Sequence, residues 1–307
     1  MKEIAILGQT ASGKSALAID LAQKFDANIL SLDSLAIYKG TDIVSAKPTI
    51  KERKGIKHFG IDILEIDDYF SAATFFDLYK EAKEQSIKED KHLIIVGGTS
   101  FYLKSMMEGL SPKVNLSKEN REKLQEILLD LKSAYAKITK IDPTYASKIS
   151  SKDNYRIQKW FEIYLEKQTD ASTYFQKHNP RPLIKDIKIF DIAIERTVLS
   201  KRIETRTTDM IKEGLIDEIF QLEKRYTRKP NPMKAIGIKE TLDFLDGKLS
   251  VKKLHEQISI HTMQLAKRQE TFNSSQFTDK TKELSSSLIN TISKYINQDI
   301  SLGKYNL

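Results

Sequence analysis

Cysteine is absent from all 307 residues, which excludes a disulfide framework, a thiolate metal site and a cysteine nucleophile together. Long hydrophobic runs are absent as well. The opening MKEIAILGQT passes through a short apolar run into a glycine turn, too short for the core of a secretion signal, and no later stretch approaches a membrane span. The chain is therefore expected in the cytoplasm, away from membranes. No internal repeat or low-complexity tract is found, and the apolar and charged fractions, 40% and 30%, argue against wholesale disorder. Acidic residues run short: 42 Asp and Glu face 50 Lys and Arg, a formal charge of +8. That excess suits a polyanionic partner such as a nucleic acid or a phosphorylated metabolite, and equally a solvated lysine-rich surface. The length fits two domains, or one domain carrying an insertion.

What is present reads as alternating strands and helices. Glu3 to Leu7 is a short apolar run ending at Gly8, as a buried parallel strand does. Ala16, Leu17, Ile19, Leu21 and Ala22 make an apolar helix reaching Phe25. Asn28 to Leu32 reads as a second strand delivering Asp33 at its end, and His92 to Val96 as a third, stopped by Gly97-Gly98. Phe75 to Ile87 between them has helical spacing. This is the pattern of a doubly wound parallel sheet, whose ligands sit beyond the C-terminal strand ends.

After Pro112 the character changes, and from Ser117 to Lys185 only helices are expected. The clearest places Ile157, Trp160, Phe161, Tyr164 and Leu165 on one stripe, which makes Trp160 a core residue. Pro180-Arg181-Pro182 closes the region, and Ile187 to Ile194 returns to the sheet. Leu199, Ile203, Met210 and Leu215 suggest one helix, Val251 to Phe272 another, and the stretch after Ser285 a helical tail. The expected fold is α/β, a P-loop NTPase-like doubly wound parallel sheet with a helical insertion domain. Residues 1–116 and 186–284 form the core, 117–185 the insertion and 285–307 the tail.

Gly8-Gln9-Thr10-Ala11-Ser12-Gly13-Lys14-Ser15 matches G-x-x-x-x-G-K-[ST] without a gap. Its glycines let the backbone fold into a nest of N–H groups aimed at phosphate oxygens. Lys14 adds a point charge, the following helix presents its positive end, and the Ser15 hydroxyl is placed to ligate Mg²⁺. The same string is the signature of ATP-binding proteins, so it does not say which phosphate compound binds. An NTPase usually offers an aspartate at a neighbouring strand end to organise the metal. Here that end reads Gly97-Gly98-Thr99, and a threonine cannot act as a carboxylate ligand. Asp33 supplies an acceptor toward the same crevice. The layout suits transfer of a group from a diphosphate to an acceptor activated by Asp33. Two rivals stay open: a small-molecule or nucleoside kinase using ATP at this loop, and a non-enzymatic RNA-binding switch of the same class.

At these residues the chain resembles the bacterial tRNA dimethylallyltransferases, the tRNA isopentenyltransferase family, along nearly its whole length. GQTASGKS is similar to that family's GPTASGKT, and Asp33-Ser34-Leu35-Ala36-Ile37-Tyr38-Lys39-Gly40 to its DSALIYRG. Val96-Gly97-Gly98-Thr99, Glu108-Gly109-Leu110, Ala235-Ile236-Gly237-Ile238-Lys239-Glu240 and Gln264-Leu265-Ala266-Lys267-Arg268-Gln269 follow in the family's order. The resemblance implies transfer of dimethylallyl from dimethylallyl diphosphate to N6 of the adenosine just 3′ of the anticodon, with Mg²⁺. It makes Asp33 the general base and Thr99 the contact to the bridging oxygen of the leaving diphosphate, which Thr10 to Ser15 hold. Arg196, Arg202 and Arg206 sit where the family has its arginine run, the last two spaced to clamp an anion together or to lie on a solvated face.

Contact with the tRNA anticodon stem-loop is expected from Asp33, Ser34, Leu35, Ala36, Thr99, Arg121, from Tyr155, Arg156, Ile157, Gln158 and Lys159, and from Lys234, Ala235, Ile236, Gly237, Ile238 and Lys239. From Arg228 to Lys239 four basic residues and no acid form a candidate phosphate strip. His58 is read as structural, and the chain as acting alone, as a monomer. Departures from the family pattern are Ile238 for a common tyrosine, Met263 for an arginine, Tyr155 and Lys159 for glutamine and arginine, and Thr271 to Phe277 without the usual Trp and Arg. They touch the grip on tRNA and leave the crevice intact.

Overall fold

A computed structural model describes residues 1–109, 114–178 and 181–298. Leu110, the change of character at Pro112, Pro180 of the Pro-Arg-Pro break and the tail beyond residue 298 lie outside the described residues. The chain forms two compact units, one built from Met1–Ser105 and the chain from Ile184 onward, the other from Met106–Leu183.

In the first unit, β1 (Glu3–Leu7) leads through the glycine loop to α1 (Lys14–Phe25) and then β2 (Ala27–Ser31). A short α2 (Asp42–Ser45), a two-residue β3 (His58–Phe59), α3 (Ala72–Lys88), β4 (His92–Gly97) and α4 (Ser100–Glu108) follow. The sheet order is β3-β2-β4-β1, continued by β5 (Lys188–Ala193) and β6 (Lys280–Leu284), with every pairing parallel. Side chains alternate between faces along each strand. Ile4, Ile6, Ile29, Ile94, Val96, Phe190 and Ile192 meet Leu17, Ala18 and Leu21 of α1 on one face, together with Leu288, Ile292 and Ile296 of a C-terminal helix. Residues one position out of step face the other side, where Tyr79 of α3 donates to Glu3 Oε2 at 2.7 Å. Helices on both faces make the sheet doubly wound.

The second unit is helical. It comprises the end of α4 and then α5 (Lys118–Leu128), α6 (Leu131–Ile141), α7 (Pro143–Ala146), α8 (Asn154–Lys167) and α9 (Ala171–Lys177). Its two ends are joined where Leu183 N–H donates to Met106 O at 2.8 Å, which is why the unit begins inside α4 and not at residue 117. Trp160, Phe161 and Ile157 are fully buried at its centre. The Trp160 indole donates to Asp142 Oδ2 at 3.0 Å, and Asp142 also accepts from the backbone of Tyr145 and from Ser172, so one carboxylate ties α6, α7, α8 and α9 together.

Back in the first unit, the single helix expected from Leu199 to Leu215 is two. α10 (Arg196–Lys212) stops before Gly214, which takes φ +104° and starts α11 (Leu215–Tyr226). A 3-10 turn (Asn231–Lys234), α12 (Ile238–Leu245), α13 (Val251–Gln276) and, after β6, α14 (Ser285–Asn297) complete the chain. β6 reads KTKEL and carries no apolar run before Leu284, so hydrophobicity did not announce it; an edge strand needs no buried face.

Candidate active site

The loop after β1 forms a cradle through two left-handed residues, Ala11 at φ +60° and Gly13 at φ +93°, the latter capping α1. Ser12 N–H donates back to Gln9 O at 3.1 Å, closing the turn. Lys14 folds over it and donates to Gln9 O at 3.2 Å. Burial pushes the Lys14 ammonium down to about 8, against the opposing pull of the Asp33 carboxylate and with help from the nearby Arg206 charge. Ser12 Oγ is buried with no hydrogen-bond partner among the described residues, and Ser15 is exposed and lines an adjoining cavity.

β2 and β4 stay zipped beyond their last ladder residues. Leu32 N–H donates to Val96 O at 2.7 Å and Thr99 N–H to Leu32 O at 3.2 Å, which sets Asp33 and Thr99 on neighbouring strand ends. A Cβ on Gly97 would meet Leu32 O at 2.2 Å, so only glycine permits the approach. Asp33 Oδ1 accepts from the backbone N–H groups of Leu35 and Ala36 at 2.9 and 3.0 Å. Among the described residues nothing donates to Oδ2. The carboxylate is thus held by its own turn, near enough to Lys14 and Arg206 for its charge to oppose the lowering of both.

α10 brings two arginines to the loop. Arg202 Nη1 donates to Ser12 O at 3.1 Å, and Arg206 donates to Thr10 Oγ1 and Ser45 O, each at 3.3 Å. Burial lowers the Arg206 guanidinium below its ordinary range, and Asp33 opposes that. Arg196, expected with them, starts the helix and lines a different cavity with Gln9, Met263 and Lys267. Gln269 of α13 received no role from the sequence, yet it braces the cradle: its Oε1 accepts from Thr10 N–H at 2.7 Å and its Nε2 donates to Gly98 O at 3.0 Å. Its place three residues after the fully buried Ala266, on the inward stripe of α13, was the available signal. Tyr102 was also passed over. Its ring lies 4.4 Å from that of Phe75 and 5.5 Å from that of Phe70, and burial pushes its hydroxyl up to about 12, with Tyr38 and Asp33 adding to the shift.

The residues expected at tRNA divide. In the first unit Ser34, Lys234 and Lys239 are exposed, and Leu35, Ala235 and Ile236 half-buried. Ala36 and Ile238, at 5% and 0% exposure, are core side chains, so a surface contact through them is excluded. Gly237 is buried at φ +91°, its N–H donating to Glu240 Oε2 at 2.7 Å, and a Cβ there would meet Val44 at 2.6 Å. It shapes the turn. Arg228, the first residue of the basic strip, is engaged by Glu223 and Asp246. In the second unit Arg121 is exposed and donates to Leu116 O, and Tyr155 is 69% exposed. Arg156 pairs with Asp153, while Gln158 and Lys159 both reach Glu162. Ile157 is wholly buried and belongs to that unit's core, because the apolar stripe that identified the helix runs through it. His58 bonds Ile56 O at 2.9 Å, and burial lowers its pKa, in keeping with a structural role.

The description "IPP transferase" matches residues 36–276. The chain belongs to the IPP transferase family. It is 51% identical over 295 residues to a protein of Aliarcobacter butzleri named tRNA dimethylallyltransferase, covering 96% of this chain and 99% of that one. It is 46% identical over 276 residues to the protein of that name from Helicobacter pylori, covering 90% of this chain and 88% of that one. Among solved structures, the tRNA isopentenylpyrophosphate transferase of Bacillus halodurans matches this family member with a TM-score of 0.71 at 27% identity over 99% of both chains. A eukaryotic dimethylallyltransferase described as acting on tRNA matches with a TM-score of 0.84 at 26% identity, covering 99% of this chain and 80% of that one. The fold of this family member is accordingly the P-loop-like doubly wound sheet with a helical insertion.

Proposed function

We propose that the protein transfers a dimethylallyl group from dimethylallyl diphosphate to N6 of the adenosine 3′ of the anticodon, releasing diphosphate. One observation carries this reading: Asp33, with one carboxylate oxygen unengaged, sits at a strand end beside Thr99 and within electrostatic reach of Lys14 and Arg206. The cradle amides, Lys14, Arg202 and Arg206 make a donor-rich socket for a diphosphate. On this reading Thr99, at the neighbouring strand end, donates to the bridging oxygen. As the C1–O bond breaks and N6 bonds to C1, Asp33 Oδ2 takes the N6 proton and the electron pair leaves with diphosphate. An RNA base is reached only when turned out of its stack, and a crevice at paired strand ends suits that.

No group of three or more His, Asp or Glu among the described residues is arranged to hold a metal. The exposed Ser15 hydroxyl would hold a Mg²⁺ brought with the diphosphate, and such an ion would supply charge neutralisation for the departing group. No helix among the described residues is long and apolar enough to cross a membrane. The reading has the chain working in the cytoplasm as a monomer, on the anticodon stem-loop.

Incubation with labelled dimethylallyl diphosphate and total tRNA, followed by nucleoside analysis, tests it. Prenylated adenosine is expected, and Asp33→Asn is expected to slow its formation by about 100-fold or more. Stabilisation by ATP with no prenylated nucleoside would favour a kinase and refute the transferase.

A further inference from the structure

A cavity of about 1180 Å³ opens beside the cradle, between the first turns of α1, the chain from Asp42 to Lys54, and α10. Its apolar lining is aliphatic: Ile19, Ile43, Ala46, Pro48, Ile50 and Val198 contribute, and among the described residues no aromatic ring does. Three of these stand open to solvent, Ala46, Val198 at 42% and Ile50 at 86% exposure. Toward the loop the wall is formed by Ser15, Arg202 and Arg206. The acids nearby are largely spoken for: Asp20 pairs with Lys54 at 2.9 Å, Asp42 and Asp62 pair with the buried Lys47 at 3.0 and 2.6 Å, and Glu52 accepts from Thr49. Asp209 and Glu213 stand one and two turns further along α10, away from the loop.

Cavities of roughly 300–1,000 Å³ already hold drug-sized molecules, so this space far exceeds what a five-carbon group fills. The loop-side cations, joined by Arg53, Lys54 and Lys201, together with the aliphatic residues of the same lining call for an amphiphilic anion. Nucleobases are held by stacking on aromatic faces, and none is offered here. An aliphatic chain gains from burial against such a lining without needing polar partners.

We propose that this cavity binds a prenyl diphosphate of ten carbons or more, its diphosphate on Ser15, Arg202 and Arg206 and its chain laid outward across Val198 and Ile50. Held this way it occupies the cradle while keeping C1 from Asp33, and so blocks the shorter donor without being consumed. The proposal rests on the reading that the cradle holds a diphosphate. Calorimetric titration of the whole protein with inorganic diphosphate, geranyl diphosphate and ATP tests it, alongside dimethylallyl transfer to tRNA. Geranyl diphosphate is expected to bind about tenfold or more tighter than inorganic diphosphate and to compete with dimethylallyl diphosphate. Val198→Asp and Ile50→Asp, at exposed positions the fold tolerates, are each expected to remove that advantage while leaving inorganic diphosphate binding and dimethylallyl transfer unchanged. Geranyl diphosphate binding no tighter than inorganic diphosphate, an advantage that survives both substitutions, an equal advantage for ATP, or geranyl appearing on tRNA would each overturn it. If those failures come with normal inorganic diphosphate binding and normal dimethylallyl transfer, only the tail cavity is refuted. Absence of inorganic diphosphate binding would refute the cradle reading and this one together.

Discussion

Lys14 illustrates how a motif residue acquires its properties from residues far away in the chain. The string around it announces phosphate binding, but burial and the Arg206 charge are what bring its ammonium down to about 8. Binding an anion requires the charged form, so affinity for inorganic diphosphate is expected to weaken as pH rises through that value, and Lys14→Ala to flatten the profile in calorimetry. The sign for stability is opposite. A lysine whose folded pKa lies below its unfolded one binds fewer protons in the native state between about 8 and its ordinary value of 10.5, so its contribution improves as pH rises through that window. Thr99 sits beside Asp33, and its backbone is tied to Leu32. Thr99→Ala is expected to lower single-turnover prenyl transfer by about 100-fold while changing tRNA affinity little, since a donor to the leaving oxygen acts only as charge develops there. An equal loss of both would contradict the role. Asp33, Thr99 and the loop were all legible in the sequence because each lies within a few residues of a strand end.

At the scale of elements, the cradle is assembled by α10 and α13, and neither could be placed against it from spacing alone. Gln269 joins Thr10 N–H to Gly98 O and so couples the loop to the end of β4. Gln269→Ala leaves a donor and an acceptor unpaired in a half-buried setting, and is expected to cost about 2 kcal/mol in urea unfolding and to weaken diphosphate binding as the loop loosens. Periodicity found the long helices because each buries a continuous apolar stripe, but it merged α10 with α11 by stepping across Gly214. It missed β3, which is two residues long, and β6, whose KTKEL sequence offers no apolar run to read. The same stripe logic produced a conflict at Ile157, where one residue was assigned both to the helix core and to RNA contact. Its burial decides for the core.

For the whole molecule, the charge of +8 does not act as a uniform coat. Arg156, Lys159 and Arg228 are paired with acids, whereas Lys234 and Lys239 are exposed with no acid partner among the described residues. Raising monovalent salt from about 50 to about 200 mM is expected to weaken tRNA binding by roughly tenfold or more, measured by filter binding, with Lys239→Ala shallowing the dependence and Arg228→Ala leaving its slope unchanged. The sequence by itself determined the alternation of strand and helix, the helical insertion, the glycine loop after β1 and the acid at the neighbouring strand end, because these depend on contacts within one turn or one strand end. Only the tertiary structure decided which arginines reach the loop, that a glutamine from α13 braces it, which basic residues remain unpaired, and which expected RNA contacts are buried. Those outcomes depend on packing between segments as much as 259 residues apart, where no local pattern records the neighbour.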